Sequence, residues 1–155
     1  MNATLTLLCG LPGAGKSTWA AQHAEPECIA TADSIRDGAD ARGVFAHVWR
    51  RAAARLVEGR SVIVDLCALR PIDRMPALQL ARNHGVAAEL VVFCVPVALC
   101  MARNRKRSNP AAVDWKVYAT MGRFMLTAVQ REQWTRVRYV PKRDPSAFEL
   151  DGVKL

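Results

Sequence analysis

The chain has 155 residues, of which 51% are hydrophobic and 23% are charged. This balance is typical of one folded globular domain, which we expect to span 1–155, and it excludes a disordered chain. The formal net charge of +8 favours anionic partners such as nucleotides, nucleic acids or acidic lipids, although an arginine-rich composition alone would also produce it.

Short apolar runs alternate along the chain with amphipathic helical patterns. The predicted strands are 4–9, 28–32, 61–66, 90–95 and 137–140, and the predicted helices are 16–24, 44–58, 71–83, 97–106 and 113–135. Pro76 is expected in or near the first turn of the third helix, where proline is tolerated. The alternation predicts an α/β fold with a parallel sheet and helices on both faces. Ligands of such sheets bind at the carboxyl ends of the strands.

Nothing in the chain predicts secretion or membrane insertion. The first apolar run leads directly into a glycine-rich loop, as a first strand does and a signal peptide does not. The longest apolar stretch, near 90–101, contains Pro96 and is too short to span a bilayer. The five cysteines include no C-x-x-C pair and indicate buried small residues in a reducing compartment. We expect a cytoplasmic protein with no membrane partner.

The strongest motif is GLPGAGKS at 10–17, which matches G-x-x-x-x-G-K-[ST] between a predicted strand and a predicted helix. Glycines let successive backbone N–H groups point at phosphate oxygens, and the helix adds its positive N-terminal end. Lys16 is expected to neutralise the β- and γ-phosphates, and the Ser17 hydroxyl to bind Mg²⁺. The predicted nucleotide-binding residues are Gly10, Gly13, Ala14, Gly15, Lys16, Ser17 and Thr18.

Candidate residues for the acceptor follow the second strand, in Asp33-Ser-Ile-Arg36. An aspartate at this strand end can face the γ-phosphate and accept the proton of an attacking hydroxyl. Arg36 shares its face if a helical turn begins there, and can hold an acceptor phosphate. The residues alone leave open that Asp33 only caps a helical turn and that Arg36 is solvated.

Asp65 ends the third strand after an apolar run, where a carboxylate commonly holds Mg²⁺ through water. The alternative is an ordinary turn aspartate. Arg103 and Arg107 are four residues apart, so a continuous helix would place them on one face, where they could clamp a transferring phosphoryl group. The alternative is a solvated helix end whose cations favour the helix dipole.

The histidines and tryptophans indicate no further site. The histidines at 23, 47 and 84 are scattered and predict no metal centre. The tryptophans at 19, 49, 115 and 134 are expected to be packing residues rather than base-stacking platforms.

Taken in order, these segments resemble the kinase domain of bacteriophage polynucleotide 5′-kinases. The segments are GLPGAGKSTWA, DSIR, VIVD, FCVP and RNRKR, and VDWKVYATM at 113–121 resembles the segment after the lid of those enzymes. The similarity runs from about Leu5 to about Met125. Its P-loop is shared by many families, whereas the combination with D-x-x-R and R-N-x-K-R is more specific.

The resemblance implies a P-loop kinase fold with a helical lid and a role for each matching residue. Asp33 would be the general base that activates a 5′-hydroxyl, and Arg36 would contact the neighbouring 3′-phosphate of the acceptor. Arg107, with Arg103 as the alternative, would be the lid arginine that reaches the phosphates of the donor. Asp65 would lie near the acceptor or the metal ion.

The chain departs from that family in two respects. Leu66 and Cys67 follow Asp65, where the family commonly carries small polar residues. No D-x-D-x-T motif of a 3′-phosphatase is present, so we expect a stand-alone kinase without phosphatase activity.

The leading hypothesis is a polynucleotide 5′-hydroxyl kinase that uses Mg²⁺ and transfers the γ-phosphate of ATP or another nucleoside triphosphate to DNA or RNA ends. A zeta-toxin-like or metabolite kinase with a small acceptor is the alternative enzyme. A nucleotide-dependent ATPase or switch is a third hypothesis, which an acceptor clamp such as D-x-x-R argues against.

Overall fold

The computed structural model describes residues 2–32, 41–107 and 129–141. Its strands are β1 (Thr4–Cys9), β2 (Ile29–Thr31), β3 (Val62–Asp65), β4 (Ala87–Phe93) and β5 (Arg136–Val140). Its α-helices are α1 (Lys16–His23), α2 (Ala41–Val57), α3 (Pro71–His84) and α4 (Val97–Arg105), and short 3₁₀ helices lie at Pro26–Cys28 and Val129–Arg131.

The five strands form one parallel sheet in the order β2-β3-β1-β4-β5. The central strand β1 pairs with β3 and β4, and Leu7 is in register with Val64 on one side and Leu90 on the other. All carboxyl ends therefore meet at one edge of the sheet, where the loops after β1 and β3 lie close to Ala32, which follows β2.

Both faces of the central strands are covered. Residues Leu5 to Cys9 of β1, all of β3 and the last four residues of β4 are buried, although successive side chains of a strand point to opposite faces. This pattern confirms the predicted α/β fold with a parallel sheet between layers of helices. On α2, the predicted apolar stripe is buried at Val48, Ala52 and Leu56.

Two elements differ from the predictions. Pro76 lies inside α3, one turn deeper than expected, because Pro71 occupies the start of the helix and the ring of Pro76 lies at an exposed position. The helix predicted to reach residue 135 is wrong at its end. After the 3₁₀ helix the chain turns towards the sheet, where Thr135 N–H donates to Ala88 O at 2.8 Å. Residues 113–128 of that predicted helix lie outside the described residues.

In the described part of the chain, no helix is both long and apolar enough to cross a membrane. No disulfide joins the cysteines of these segments; Cys9, Cys94 and Cys100 are buried, and Cys28 and Cys67 are half-buried.

Candidate active site

The glycine-rich loop between β1 and α1 has the backbone geometry that its motif predicts. Gly13 and Gly15 have φ of 83° and 94°, values that residues with a side chain rarely adopt. A Cβ added to Gly13 would lie 2.3 Å from the carbonyl oxygen of Cys100, so the missing side chain also lets the loop pack against α4. These two glycines therefore allow the curved backbone of the loop at the N-terminus of α1.

Gly10 anchors the start of the loop to neighbouring elements. Its N–H donates to Cys67 O at 2.9 Å, and a Cβ at this position would lie 2.8 Å from the Cβ of Phe93. This residue ties the phosphate loop to the segment after β3 and does not line the cavity described below. Ala14 is buried and also lies outside that lining.

Lys16 begins α1 and is buried, with 8% of its surface exposed. Its Nζ donates to Gly10 O and Leu11 O, each at 3.0 Å. A buried ammonium requires such partners, and these hold it at the mouth of the loop, where phosphate oxygens would be bound.

Ser17 and Asp65 form the second polar contact of the site. Ser17 Oγ donates to Asp65 Oδ2 at 2.6 Å, and Asp65 is buried at the carboxyl end of β3. Hydroxyl and carboxylate oxygens beside a phosphate loop are the hard ligands that Mg²⁺ prefers, directly or through water. The pair therefore fits Mg²⁺, and within the described segments no cluster of three or more His, Cys, Asp or Glu side chains suggests another metal.

These groups open into one cavity of about 240 Å³, here called the phosphate cavity. Lys16 and Arg107 supply positive charge to its wall, and Asp65 supplies negative charge. The described residues that line it are Pro12, Gly13, Gly15, Lys16, Ser17, Thr18, Thr31, Ala32, Phe45, Asp65, Leu66, Cys67 and Arg107.

The two candidate arginines differ in position. The expectation that they share a helix face is wrong, because α4 ends at Arg105 and Arg107 follows in a turn, its N–H donating to Asn104 O at 3.2 Å. Leaving the helix carries Arg107 to the phosphate cavity, whereas Arg103 is not among the described residues that line it.

Asp33 and Arg36 lie outside the described residues. The chain connects Asp33 directly to Ala32, which lines the phosphate cavity.

A second cavity, here called the apolar cavity, was not predicted. It measures about 540 Å³ and shares Phe45, Leu66 and Cys67 with the phosphate cavity. Its described lining is Phe45, Trp49, Leu66, Cys67, Ala68, Leu69, Arg70, Ile72, Asp73 and Pro76. The available signal was the pair of aromatic residues four apart on α2, beside rather than within the buried stripe.

The loop after β3, which lines both cavities, is held by Arg74. This side chain is completely buried; its Nη1 donates to Ala68 O at 3.1 Å and to Leu69 O at 2.8 Å. Its Nη2 pairs with Glu132 at 2.8 Å, and Glu132 also accepts from Trp134 Nε1 at 2.6 Å. Ala68 has a φ of 47°, an uncommon conformation that these contacts hold in place.

Two buried thiols near the phosphate loop are held in the neutral form. Burial raises the pKa of Cys9 to about 12 and that of Cys100 to about 11, against the weaker pull of nearby cations. Neither thiol is therefore a nucleophile at neutral pH. At the rim of the apolar cavity, burial opposes ionisation of Asp73, but hydrogen bonds from Arg70 outweigh it and lower the pKa of that carboxyl.

A phosphate loop between β1 and α1, a serine bonded to a strand-end aspartate, and a parallel sheet of order β2-β3-β1-β4-β5 define the fold of P-loop kinases. Residues 5–126 match the family model AAA_33, described as an AAA domain, and the chain belongs to this family.

Solved structures support the same fold. A chain of the Pnkp1/Rnl/Hen1 RNA repair complex is 17% identical and superposes with a TM-score of 0.71 over 99% of this chain and 51% of its own length. The present chain thus spans about half of that relative. A putative kinase from Chloroflexus aurantiacus j-10-fl is 13% identical, with a TM-score of 0.64 and coverage of 89% and 84%. An APS kinase CysC from Mycobacterium tuberculosis in complex with AMPPNP and APS is 18% identical, with a TM-score of 0.54 and coverage of 92% and 91%.

Proposed function

We propose that the protein is a polynucleotide kinase that transfers the γ-phosphate of a nucleoside triphosphate to the 5′-hydroxyl of DNA or RNA. The observation that carries the proposal is the phosphate cavity, which brings Lys16, Arg107 and the Ser17–Asp65 pair together. The D-x-x-R sequence that follows Ala32 and the fold shared with a chain of an RNA repair complex also support it.

The donor half of the reaction belongs to residues of the loop and of α1. Backbone N–H groups of the loop and the Lys16 ammonium would bind the β- and γ-phosphates. Ser17 would bind Mg²⁺ directly and Asp65 through water, and an ion held there would neutralise charge on the phosphate oxygens.

The acceptor half belongs to Asp33 and Arg36. The 5′-oxygen forms a bond to the γ-phosphorus as the bond from that phosphorus to the β–γ bridging oxygen breaks, and the nucleoside diphosphate leaves. The hydroxyl proton passes to the Asp33 carboxylate. Arg36 would hold the adjacent 3′-phosphate of the acceptor. Arg107, with Arg103 as the alternative, would stabilise negative charge on the transferring group.

The test measures label transfer from γ-labelled ATP with Mg²⁺ to a 5′-hydroxyl oligonucleotide. The wild-type protein should label the 5′ end. Asp33→Ala should lower kcat by about a hundredfold or more, since it removes a general base, and Arg107→Ala by about a thousandfold, since it removes a charge at the transition state.

Arg105→Ala is the matched control, because Arg105 belongs to the same basic cluster, is exposed and lies outside the lining of the phosphate cavity. It should retain wild-type activity. Undiminished transfer by Asp33→Ala would contradict the assignment of Asp33 as the general base. An equal loss of activity in Arg105→Ala and Arg107→Ala would show that the positive charge of the cluster matters, rather than the position of Arg107.

A kinase with a small acceptor is the second candidate, favoured by the apolar cavity beside the phosphate cavity. A concave, mainly apolar site of this size suits a small molecule. ATP binding without transfer to any polynucleotide end, together with transfer to a small hydroxyl compound, would favour it.

A further inference from the structure

We propose that the apolar cavity binds the base of the 5′-terminal nucleotide of the acceptor, which stacks on Phe45 and Trp49. This inference rests on the proposed function and specifies its substrate: an acceptor whose attacking hydroxyl is attached to a nucleoside rather than to a sugar acid or other polar metabolite.

The walls of the cavity have the chemistry of a ring-binding site. Phe45 and Trp49 lie one helical turn apart on the same face of α2. Phe45 is 48% exposed, whereas Trp49 packs partly against the core, so one aromatic surface is open and the other is firmly supported. From α3, Ile72 and Pro76 add apolar surface. Aromatic and aliphatic walls of this kind take up the faces of a planar base.

The charges around the cavity also favour an uncharged occupant. Among its described lining residues, the charged ones are Arg70 and Asp73, which pair with each other at 2.8 Å. The remaining described lining side chains offer no formal charge to a phosphate, sulfate or carboxylate. A sugar acid would lose its hydration there without gaining compensating polar contacts. A base would bury its apolar faces and keep its polar edge at the rim.

The connection between the two cavities fixes the order of the groups in the acceptor. Phe45, Leu66 and Cys67 belong to both linings, so a molecule with its 5′-oxygen directed at the phosphate loop can extend its ring into the apolar cavity. A volume of about 540 Å³ is ample for a nucleoside. Leu66 and Cys67, which replace the polar residues expected from the resemblance, supply apolar contacts at this junction.

The experiment compares two 5′-hydroxyl oligonucleotides that differ only at the first position, one with an intact nucleotide and one with an abasic residue. We expect the wild-type kcat/KM for the abasic end to be lower by about tenfold to a hundredfold, the range for stacking of one base on aromatic side chains. Phe45→Ala and Ile72→Ala should lose most of this preference. The Ile72 variant distinguishes base binding from phosphate binding, because Ile72 lines the apolar cavity but not the phosphate cavity.

Met75→Ala is the control, since Met75 is as exposed as Ile72 on the same helix but does not line the cavity. It should keep both the rate and the preference for the intact end. Equal kcat/KM for intact and abasic ends in the wild-type protein would overturn the base subsite and leave the kinase assignment standing. Absence of transfer to either oligonucleotide, with ATP still bound, would overturn both.

Discussion

At the scale of single residues, the contact between Ser17 and Asp65 determines how the site handles a divalent cation. The two side chains come from α1 and β3 and meet at 2.6 Å beside the phosphate loop. The carboxylate both orients the hydroxyl and contributes negative charge, so its charge and its hydrogen bond can be separated by substitution.

Asp65→Asn keeps the size of the side chain and removes its charge. We expect ATP binding in the presence of Mg²⁺ to weaken by about tenfold to a hundredfold, while binding without Mg²⁺ changes little. Calorimetric titration with ATP at several Mg²⁺ concentrations measures both. Glu58→Gln, an exposed change at the end of α2, is the control. Equal weakening with and without Mg²⁺ would show that Asp65 supports the loop rather than the ion.

Sequence reasoning at this scale succeeded where the chemistry is local. The phosphate loop was predictable because its glycines, lysine and serine are contiguous and each has a geometric purpose. The relative position of Arg103 and Arg107 was not predictable, because it depends on where α4 ends. A shift of one or two residues in a helix end moves a side chain to another face.

At the scale of elements, one buried ion pair joins segments far apart in the sequence. Arg74 on α3 binds Glu132 and holds two carbonyl groups of the loop after β3. Cys67 O of the same loop accepts a hydrogen bond from Gly10 N–H. The Arg74–Glu132 pair therefore also supports the phosphate loop indirectly.

Arg74→Met should destabilise the protein by about 3–5 kcal/mol, because Glu132, whose side chain is only 11% exposed, would lose its cation and two carbonyl groups would lose their donor. Arg138→Met is a matched control: Arg138 also pairs with a glutamate at 2.8 Å, but at an exposed position. Its cost should be below about 1 kcal/mol. Urea unfolding measures both, and equal losses would contradict the structural role of Arg74.

The elements themselves were largely predictable, since alternating apolar runs and four-residue stripes indicate strands and helices locally. The link between Arg74 and Glu132 was not, because no pattern along the chain pairs residues from segments so far apart. Their contact arises from the packing of α3 beside β4 and from the turn before β5. The start of α3 at Pro71 was predicted correctly, but Pro76, five residues later, lies in the second turn rather than in or near the first.

At the scale of the whole molecule, the fold sets two cavities side by side at the carboxyl edge of the sheet. The phosphate cavity follows from the motif after β1, whereas the apolar cavity requires α2, α3 and the loop after β3 to come together. The sequence predicted the phosphate cavity. The apolar cavity was indicated only by two aromatic residues one helical turn apart on α2. Together the cavities provide separate places for the proposed phosphate donor and for the proposed nucleoside acceptor.

The acceptor of the kinase is identified most directly by a panel of candidate acceptors in one assay. ADP release from ATP and Mg²⁺ would be followed with 5′-hydroxyl DNA, 5′-hydroxyl RNA, the same oligonucleotides already phosphorylated at the 5′ end, gluconate and adenosine 5′-phosphosulfate. We expect stoichiometric ADP release with the 5′-hydroxyl ends and none above background with the other compounds. Turnover with a small acceptor but with neither 5′-hydroxyl end would contradict the proposed polynucleotide kinase activity.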